Sequence, residues 1–178
     1  ISGQAAPNDA TLARFGNINS TYPTTFTSFS SPRMFAPTNS IVTEQVFFQP
    51  GSSKNIPAVT TAFGVVFTDV DRARTTSIEY FGANSKSLGK FYVPPANNGL
   101  SFLGVKFDGG ELISKVSITT GNTVLGPNDG GTVDVVAMDD FIYAEPKSAA
   151  SAGAPEPGTW LLVSSGVVGL LWRRRSEE

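Results

Sequence analysis

Two adjacent carboxylates, Asp139 and Asp140, lie in the last segment of the chain that has the pattern of a β-strand. Neighbouring strand residues point to opposite faces, so at least one of the two aims toward apolar surroundings. An unpaired buried carboxylate is costly, and a calcium ion held by carboxylate and backbone oxygens is one way to satisfy it. The pair therefore predicts a structural calcium site. The alternative is a strand-end aspartate that accepts hydrogen bonds from loop amides.

A second pair, Asp69 and Asp71, flanks a single residue at the end of another predicted strand. In an extended chain these side chains share a face about 6.6 Å apart, at roughly 3.3 Å per residue. That separation is compatible with the carboxylate pair of a glycosidase. A solvated turn or a cation site has the same pattern and is the principal expectation, with the catalytic pair as the alternative. Asn128 and Asp129, followed by two glycines, also offer oxygens to a cation, although such residues are turn formers first.

The chain contains no histidine and no cysteine. The absence of both residue types excludes the usual zinc ligand sets. It also excludes catalysis by a Ser-His-Asp triad or a Cys-His pair. The net charge is −2 and charged residues make up only 16% of the chain, so no basic face suggests nucleic acid. We therefore expect a protein that is not an enzyme, has no nucleic-acid partner, and is stabilised by packing or by a metal.

Aromatic side chains offer another chemistry, the stacking of sugar rings. Tyr80, Phe81, Phe91 and Tyr92 fall in adjacent predicted strands, and some of them must face outward. Most of the phenylalanines are nevertheless expected in the core, so this sugar platform is an alternative rather than the principal expectation.

Short strands separated by turn residues must position these side chains. In residues 59–68, Phe63, Val65 and Phe67 share one face at period two. Further strands are predicted at residues 41–48, 76–81, 88–93, 100–107, 112–119 and 133–143. Residues 15–18 and 21–29, the latter interrupted by Pro23, are predicted as short edge strands and turns. Strands at intervals of about ten residues predict an all-β fold, an antiparallel β-sandwich of jelly-roll-like order.

The C-terminal tail has three parts in a fixed order. Pro155, Glu156 and Pro157 come first, an apolar run follows from Trp160 to Trp172, and Arg173, Arg174 and Arg175 close it. As a helix the run spans roughly 20 Å, less than the roughly 30 Å of a bilayer core. The run is therefore marginal as a permanent anchor, but local thinning of the bilayer accommodates a short span. We predict a single short transmembrane helix whose arginines stay on the cytoplasmic side. Its tryptophans suit the membrane interface.

This tail resembles the PEP-CTERM sorting signal of Gram-negative bacteria. The resemblance implies recognition by an exosortase, an integral-membrane cysteine protease that cuts near the Pro-Glu-Pro sequence. It also implies export, transient residence in the inner membrane, and delivery to the cell envelope or the extracellular matrix. A plain C-terminal tail anchor is the alternative.

Three regions are predicted: a β-sandwich domain (1–145), a linker (146–154) and the sorting signal (155–178). The start at Ile1 lacks a signal peptide, so we expect it to be processed or truncated. Residues 63–143 are similar in strand texture to β-sandwich domains of other PEP-CTERM proteins, from which no activity carries over. The Asp-Asp in the final strand is similar to one in many carbohydrate-binding modules, where one aspartate holds structural calcium.

The expected function is that of a non-enzymatic secreted or envelope protein associated with exopolysaccharide. The alternative is a carbohydrate-binding module. A polysaccharide hydrolase is a weaker alternative because histidine and cysteine are absent.

Overall fold

The computed structural model describes residues 2–4, 13–30, 34–51 and 55–149. The chain up to Ser148 forms one compact unit. Within the described ranges, strands account for most of the regular structure. The elements in chain order are β1 (Ser2–Gln4), α1 (Ala13–Ile18), α2 (Tyr22–Thr25), β2 (Phe35–Ala36), β3 (Val42–Phe48), β4 (Pro57–Val59), β5 (Ala62–Val70), β6 (Ser77–Phe81), β7 (Ser87–Tyr92), β8 (Ala96–Lys106), β9 (Lys115–Thr119), β10 (Ala137–Tyr143) and β11 (Lys147–Ser148).

The strands form two sheets. One has the order β1-β2-β10-β5-β8 and the other β11-β4-β3-β9-β6-β7. Every strand pairing among the described residues is antiparallel. The prediction of an all-β protein built from antiparallel sheets is therefore confirmed, while the jelly-roll order stays a prediction.

The main core contains apolar residues of both sheets. Phe63, Val65 and Phe67 of β5 are buried there, as the period-two pattern predicts. Ile78 of β6 and Ile118 of β9 come from the other sheet and are completely buried in the same cluster. Burial of such side chains is the largest favourable contribution to folding, at about 25 cal/mol per Å² of apolar surface.

Residues 15–18 and 21–29 were predicted as short edge strands and turns, and the strands of this prediction are wrong. The two segments contribute to α1 and α2 instead. Pro23 lies in the first turn of α2, where a proline costs no hydrogen bond. The rings of Phe15, Tyr22 and Phe26 pack together, the last two stacked with centroids 4.6 Å apart. These aromatics come from α1, from α2 and from the residue that follows α2, and all three are buried in a second core cluster.

The end of the domain also differs from the prediction. The last long strand begins at Ala137, although residues 133–136 were predicted to belong to it. Lys147 and Ser148, in the predicted linker, form β11 and pair with β4. Backbone pairing therefore extends past residue 145, into the predicted linker. The hairpin of β6 and β7 is confirmed, with Ser77 opposite Tyr92.

Candidate functional site

A β-bulge lies at Asp139 and Asp140. Met138 pairs with Phe67 and Phe141 pairs with Val65, so the two aspartates together face the single position of Val66. Where two residues of one strand lie opposite a single residue of its partner, the strand forms a β-bulge. A bulge changes the direction in which the side chains point. The expectation that these neighbours point to opposite faces is therefore wrong.

Both carboxylates reach the same hydroxyl. Oγ of Ser30 lies 3.1 Å from Oδ1 of Asp139 and 2.7 Å from Oδ1 of Asp140. Oδ2 of Asp139 accepts hydrogen bonds from the amides of Phe29 and Ser30, at 2.6 and 3.1 Å. The side chain of Asp139 is thus satisfied by loop amides, the alternative to calcium. Calcium at this pair stays a prediction.

An aromatic cleft of about 440 Å³ adjoins the two aspartates, where β3 of one sheet lies beside β10 of the other. Its lining combines aromatic rings with a few polar groups: Phe35, Gln45, Val46, Phe47, Phe48, Phe63, Asp139, Asp140, Phe141, Tyr143 and Pro146. The rings of Phe47 and Tyr143 lie 6.2 Å apart. Tyr143 and Phe48 remain about half exposed. Largely apolar clefts of this size with a few polar groups are the usual form of small-ligand sites.

The aromatic cluster expected from the sequence does not form one platform. Tyr80 is completely buried, and its hydroxyl donates a hydrogen bond to the carbonyl of Phe63 at 3.0 Å. Burial raises the pKa of Tyr80 far above its ordinary value. Phe91 and Tyr92 are exposed, but the guanidinium of Arg74 lies 5.1 Å from the centre of the Tyr92 ring. The aromatic cleft was not predicted, because its rings come from strands distant in sequence.

An acidic cluster forms where β5 ends. Carboxylate oxygens of Asp69, Asp71 and Asp129 all lie within 4.8 Å of one another. Asp69 has a φ angle of +64°, and the pairing of β5 with β8 shifts between Thr68 and Val70. The extended geometry expected for Asp69 and Asp71 is therefore wrong. Asp129, which belongs to a loop distant in sequence, lies beside the two aspartates of this turn.

The carboxyls of this cluster are only partly satisfied. Asp69 is 1% exposed, and its Oδ1 accepts a 2.8 Å hydrogen bond from the amide of Asn98. Oδ2 of Asp69 and Oδ1 of Asp71 are buried and have no hydrogen-bond partner among the described residues.

Burial also shifts the acidity of these groups. It raises the pKa of Asp69 to about 7, opposed by the Asn98 amide and reinforced by the charges of Asp71 and Asp129. Burial likewise raises the pKa values of Asp71 and Asp129, and the charge of Asp134 adds to both shifts. The three carboxyls therefore carry negative charge at this site only at a cost in free energy.

Asp134 holds the surrounding turn. It is fully buried, and its carboxylate accepts hydrogen bonds from the amide of Asp71 and the hydroxyl of Thr75. Arg72 donates to the carbonyl of Gly131 at 2.9 Å. The end of β5 is thus joined to the loop that carries Asp129.

The tail with Pro155, Glu156, Pro157 and the three arginines lies outside the described residues. Comparison with known protein families matches residues 154–175 to the PEP-CTERM protein-sorting motif. The tail is a PEP-CTERM sorting signal. The motif implies that the protein is exported, processed by an exosortase and sorted to the envelope or the extracellular side. Neither curated proteins nor solved structures give a match.

The PEP-CTERM signal indicates where the protein is sorted. The role of the β domain has to be inferred from the geometry of that domain. In the part of the chain that the structure describes, helices long and apolar enough to cross a membrane are absent. The predicted transmembrane helix of the signal falls outside that part, so the membrane anchor and the cytoplasmic C-terminus stay predictions.

Proposed function

We propose that this exosortase-sorted protein is a non-enzymatic component of the cell envelope or the extracellular matrix that binds exopolysaccharide through the aromatic cleft. The observation that carries the proposal is the combination of exposed aromatic rings and the partly exposed carboxylate of Asp140 in one opening of about 440 Å³. An aromatic face stacks against the apolar face of a sugar ring. The carboxylate of Asp140 and the amide of Gln45 line the same opening and suit sugar hydroxyls.

The same cleft supports the alternative, a carbohydrate-binding module with preference for one glycan. A matrix component that binds many polymers weakly and a module that binds one polymer tightly differ in selectivity rather than in the site they use. The number of different glycans that the protein binds in solution, and how tightly it binds each one, distinguishes the two functions.

The carboxylate geometry argues against a hydrolase. Glycosidase carboxyls flank the sugar bond they cleave, whereas Asp69 is 1% exposed and Asp139 is also 1% exposed. A polysaccharide chain has no access to carboxylates at that depth.

A glycan array probed with the exported, exosortase-processed protein tests the proposal. We expect binding to neutral bacterial polysaccharides, with roughly fivefold weaker binding for Tyr143→Ala, since one stacked ring contributes about 1 kcal/mol. Tyr92→Ala is the matched control, because Tyr92 is an exposed aromatic residue outside the cleft. Equal losses for both variants, no binding to any glycan, or release of reducing ends from a bound polymer contradict the proposal.

A further inference from the structure

The acidic cluster of Asp69, Asp71 and Asp129 has buried oxygens that the described protein leaves without partners. Oδ2 of Asp69 belongs to a side chain that is 99% buried, given its exposure of 1%. The Oδ1 atom of Asp71 is also buried, although the residue as a whole has intermediate exposure. Buried polar atoms are almost always paired, so two such atoms in one place point to a bound group.

A cation suits this position. Three carboxylates whose oxygens lie within 4.8 Å repel one another. Both ion pairs in the described part of the chain, Lys106 with Asp108 and Lys115 with Glu44, lie elsewhere. A cation among the three carboxylates satisfies the free oxygens and removes the repulsion together.

We propose that Asp69, Asp71 and Asp129 bind a calcium ion that fastens the end of β5 to the loop between β9 and β10. Calcium takes oxygen ligands at about 2.3–2.6 Å, so oxygens on opposite sides of one ion lie about 5 Å apart. The 4.8 Å limit within the cluster fits that span. Magnesium prefers one or two carboxylates and keeps several waters, so a three-carboxylate site favours calcium.

The backbone around the site is already held in place. Asp69 adopts the left-handed region with φ +64°, which aspartate and asparagine tolerate better than most residues. The Asn98 amide fixes Oδ1 of Asp69, which leaves Oδ2 for the ion. The Gly130 amide donates to Oδ1 of Asp129 at 3.0 Å. Two of the three ligands therefore have defined orientations before the ion binds.

The ion has a structural consequence beyond its ligands. The loop that carries Asp129 also accepts, at the Gly126 carbonyl, a 2.8 Å hydrogen bond from the hydroxyl of Tyr22. Tyr22 belongs to the second core cluster with Phe15 and Phe26. Calcium thus fixes a loop that covers the helical part of the domain. Exported modules commonly bind calcium with Kd values of about 10⁻⁴–10⁻³ M, which ties full stability to arrival outside the cell.

The experiment is thermal unfolding of the full chain in a mild non-ionic detergent, first with a chelator and then with calcium chloride up to 10 mM. Binding to the folded state alone predicts a Tm that rises with calcium concentration, by roughly 5–10 °C at a hundredfold excess over Kd. Asp69→Asn and Asp129→Asn should abolish the rise. Asp108→Asn, an exposed carboxylate outside the cluster, is the matched control and should keep it.

Asp69→Asn has a second signature that distinguishes lost binding from lost folding. Asparagine keeps the backbone geometry and removes a buried charge, so with chelator the variant should melt at or above the temperature of the unaltered protein. With 10 mM calcium it should melt below it. Circular dichroism confirms that each variant is folded.

Three results overturn the proposal. One is an unaltered protein whose Tm is the same in calcium and chelator. Another is a calcium response that persists in Asp69→Asn and Asp129→Asn but disappears in Asp140→Asn, which places the ion at the β10 bulge. The third is an equal rise with magnesium chloride at the same concentration.

Discussion

The amide of Asn98 donates a hydrogen bond of 2.8 Å to Oδ1 of Asp69, while Oδ2 of the same carboxylate has no partner among the described residues. The contact ties the turn at the end of β5 to the start of β8. It also orients the carboxyl group of Asp69, whose pKa is raised by burial. Oδ1 of Asp69 is thus held by the backbone, and a carboxylate oxygen of Asp69 lies within 4.8 Å of those of Asp71 and Asp129.

Asp139 should stabilise the fold through amides of the segment after α2. Asp139→Ala leaves the amides of Phe29 and Ser30 without their acceptor, which should lower the free energy of unfolding by about 2 kcal/mol. Urea unfolding with a chelator present measures the loss. Asp108→Ala, whose side chain is 75% exposed, should change stability by less than about 0.5 kcal/mol. Equal effects of both substitutions would show that the amide contacts contribute nothing specific.

Gly121 should be irreplaceable by alanine. Its φ angle is +67°, and an added Cβ would lie 2.0 Å from the carbonyl oxygen of Asp134. Gly121→Ala should therefore destabilise the protein by more than about 2 kcal/mol, through backbone displacement as well as strain. Gly110→Ala is the matched control, because Gly110 also has a positive φ but nothing within 4 Å of an added Cβ. Chemical unfolding should rank Gly121→Ala well below Gly110→Ala; similar midpoints would refute the close approach to Asp134.

The sequence predicted those features of the fold that depend on local pattern. The alternation of Phe63, Val65 and Phe67 indicated their common buried face, and the turn after β6 indicated the hairpin. The helices α1 and α2 were missed because Pro23 was taken as a strand breaker. Helices of six and four residues are also too short to show the apolar period by which a helix is recognised.

The sites were less predictable because both depend on contacts between distant parts of the chain. Asp69 and Asp71 were recognised as a pair, and Asp129 as a possible cation ligand, but no local pattern places the loop of Asp129 beside β5. The bulge at Asp139 and Asp140 was also invisible, since a period-two strand gives no sign of an extra residue. The aromatic cleft could not be predicted either, because it exists only where the two sheets lie side by side.

The PEP-CTERM tail should be removed during sorting. In cells that contain an exosortase, the intact mass of the mature protein should lack the segment after about Pro157. Replacement of Pro155, Glu156 and Pro157 by alanine should leave the precursor in the inner membrane. Mass spectrometry of membrane and extracellular fractions makes the comparison. Full-length chain in the extracellular fraction of exosortase-positive cells would contradict processing.

The most direct test of the account is retention of the protein by the exopolysaccharide matrix. Matrix and free medium are separated from exosortase-positive cells that express the unaltered protein, a Phe48→Ala/Tyr143→Ala double variant, or Tyr92→Ala as control. Phe48 and Tyr143 are the exposed rings of the cleft. The account predicts that the unaltered protein and the control remain with the matrix, whereas the correctly processed double variant moves to the medium. An equal distribution of all three proteins would contradict exopolysaccharide binding through the aromatic cleft.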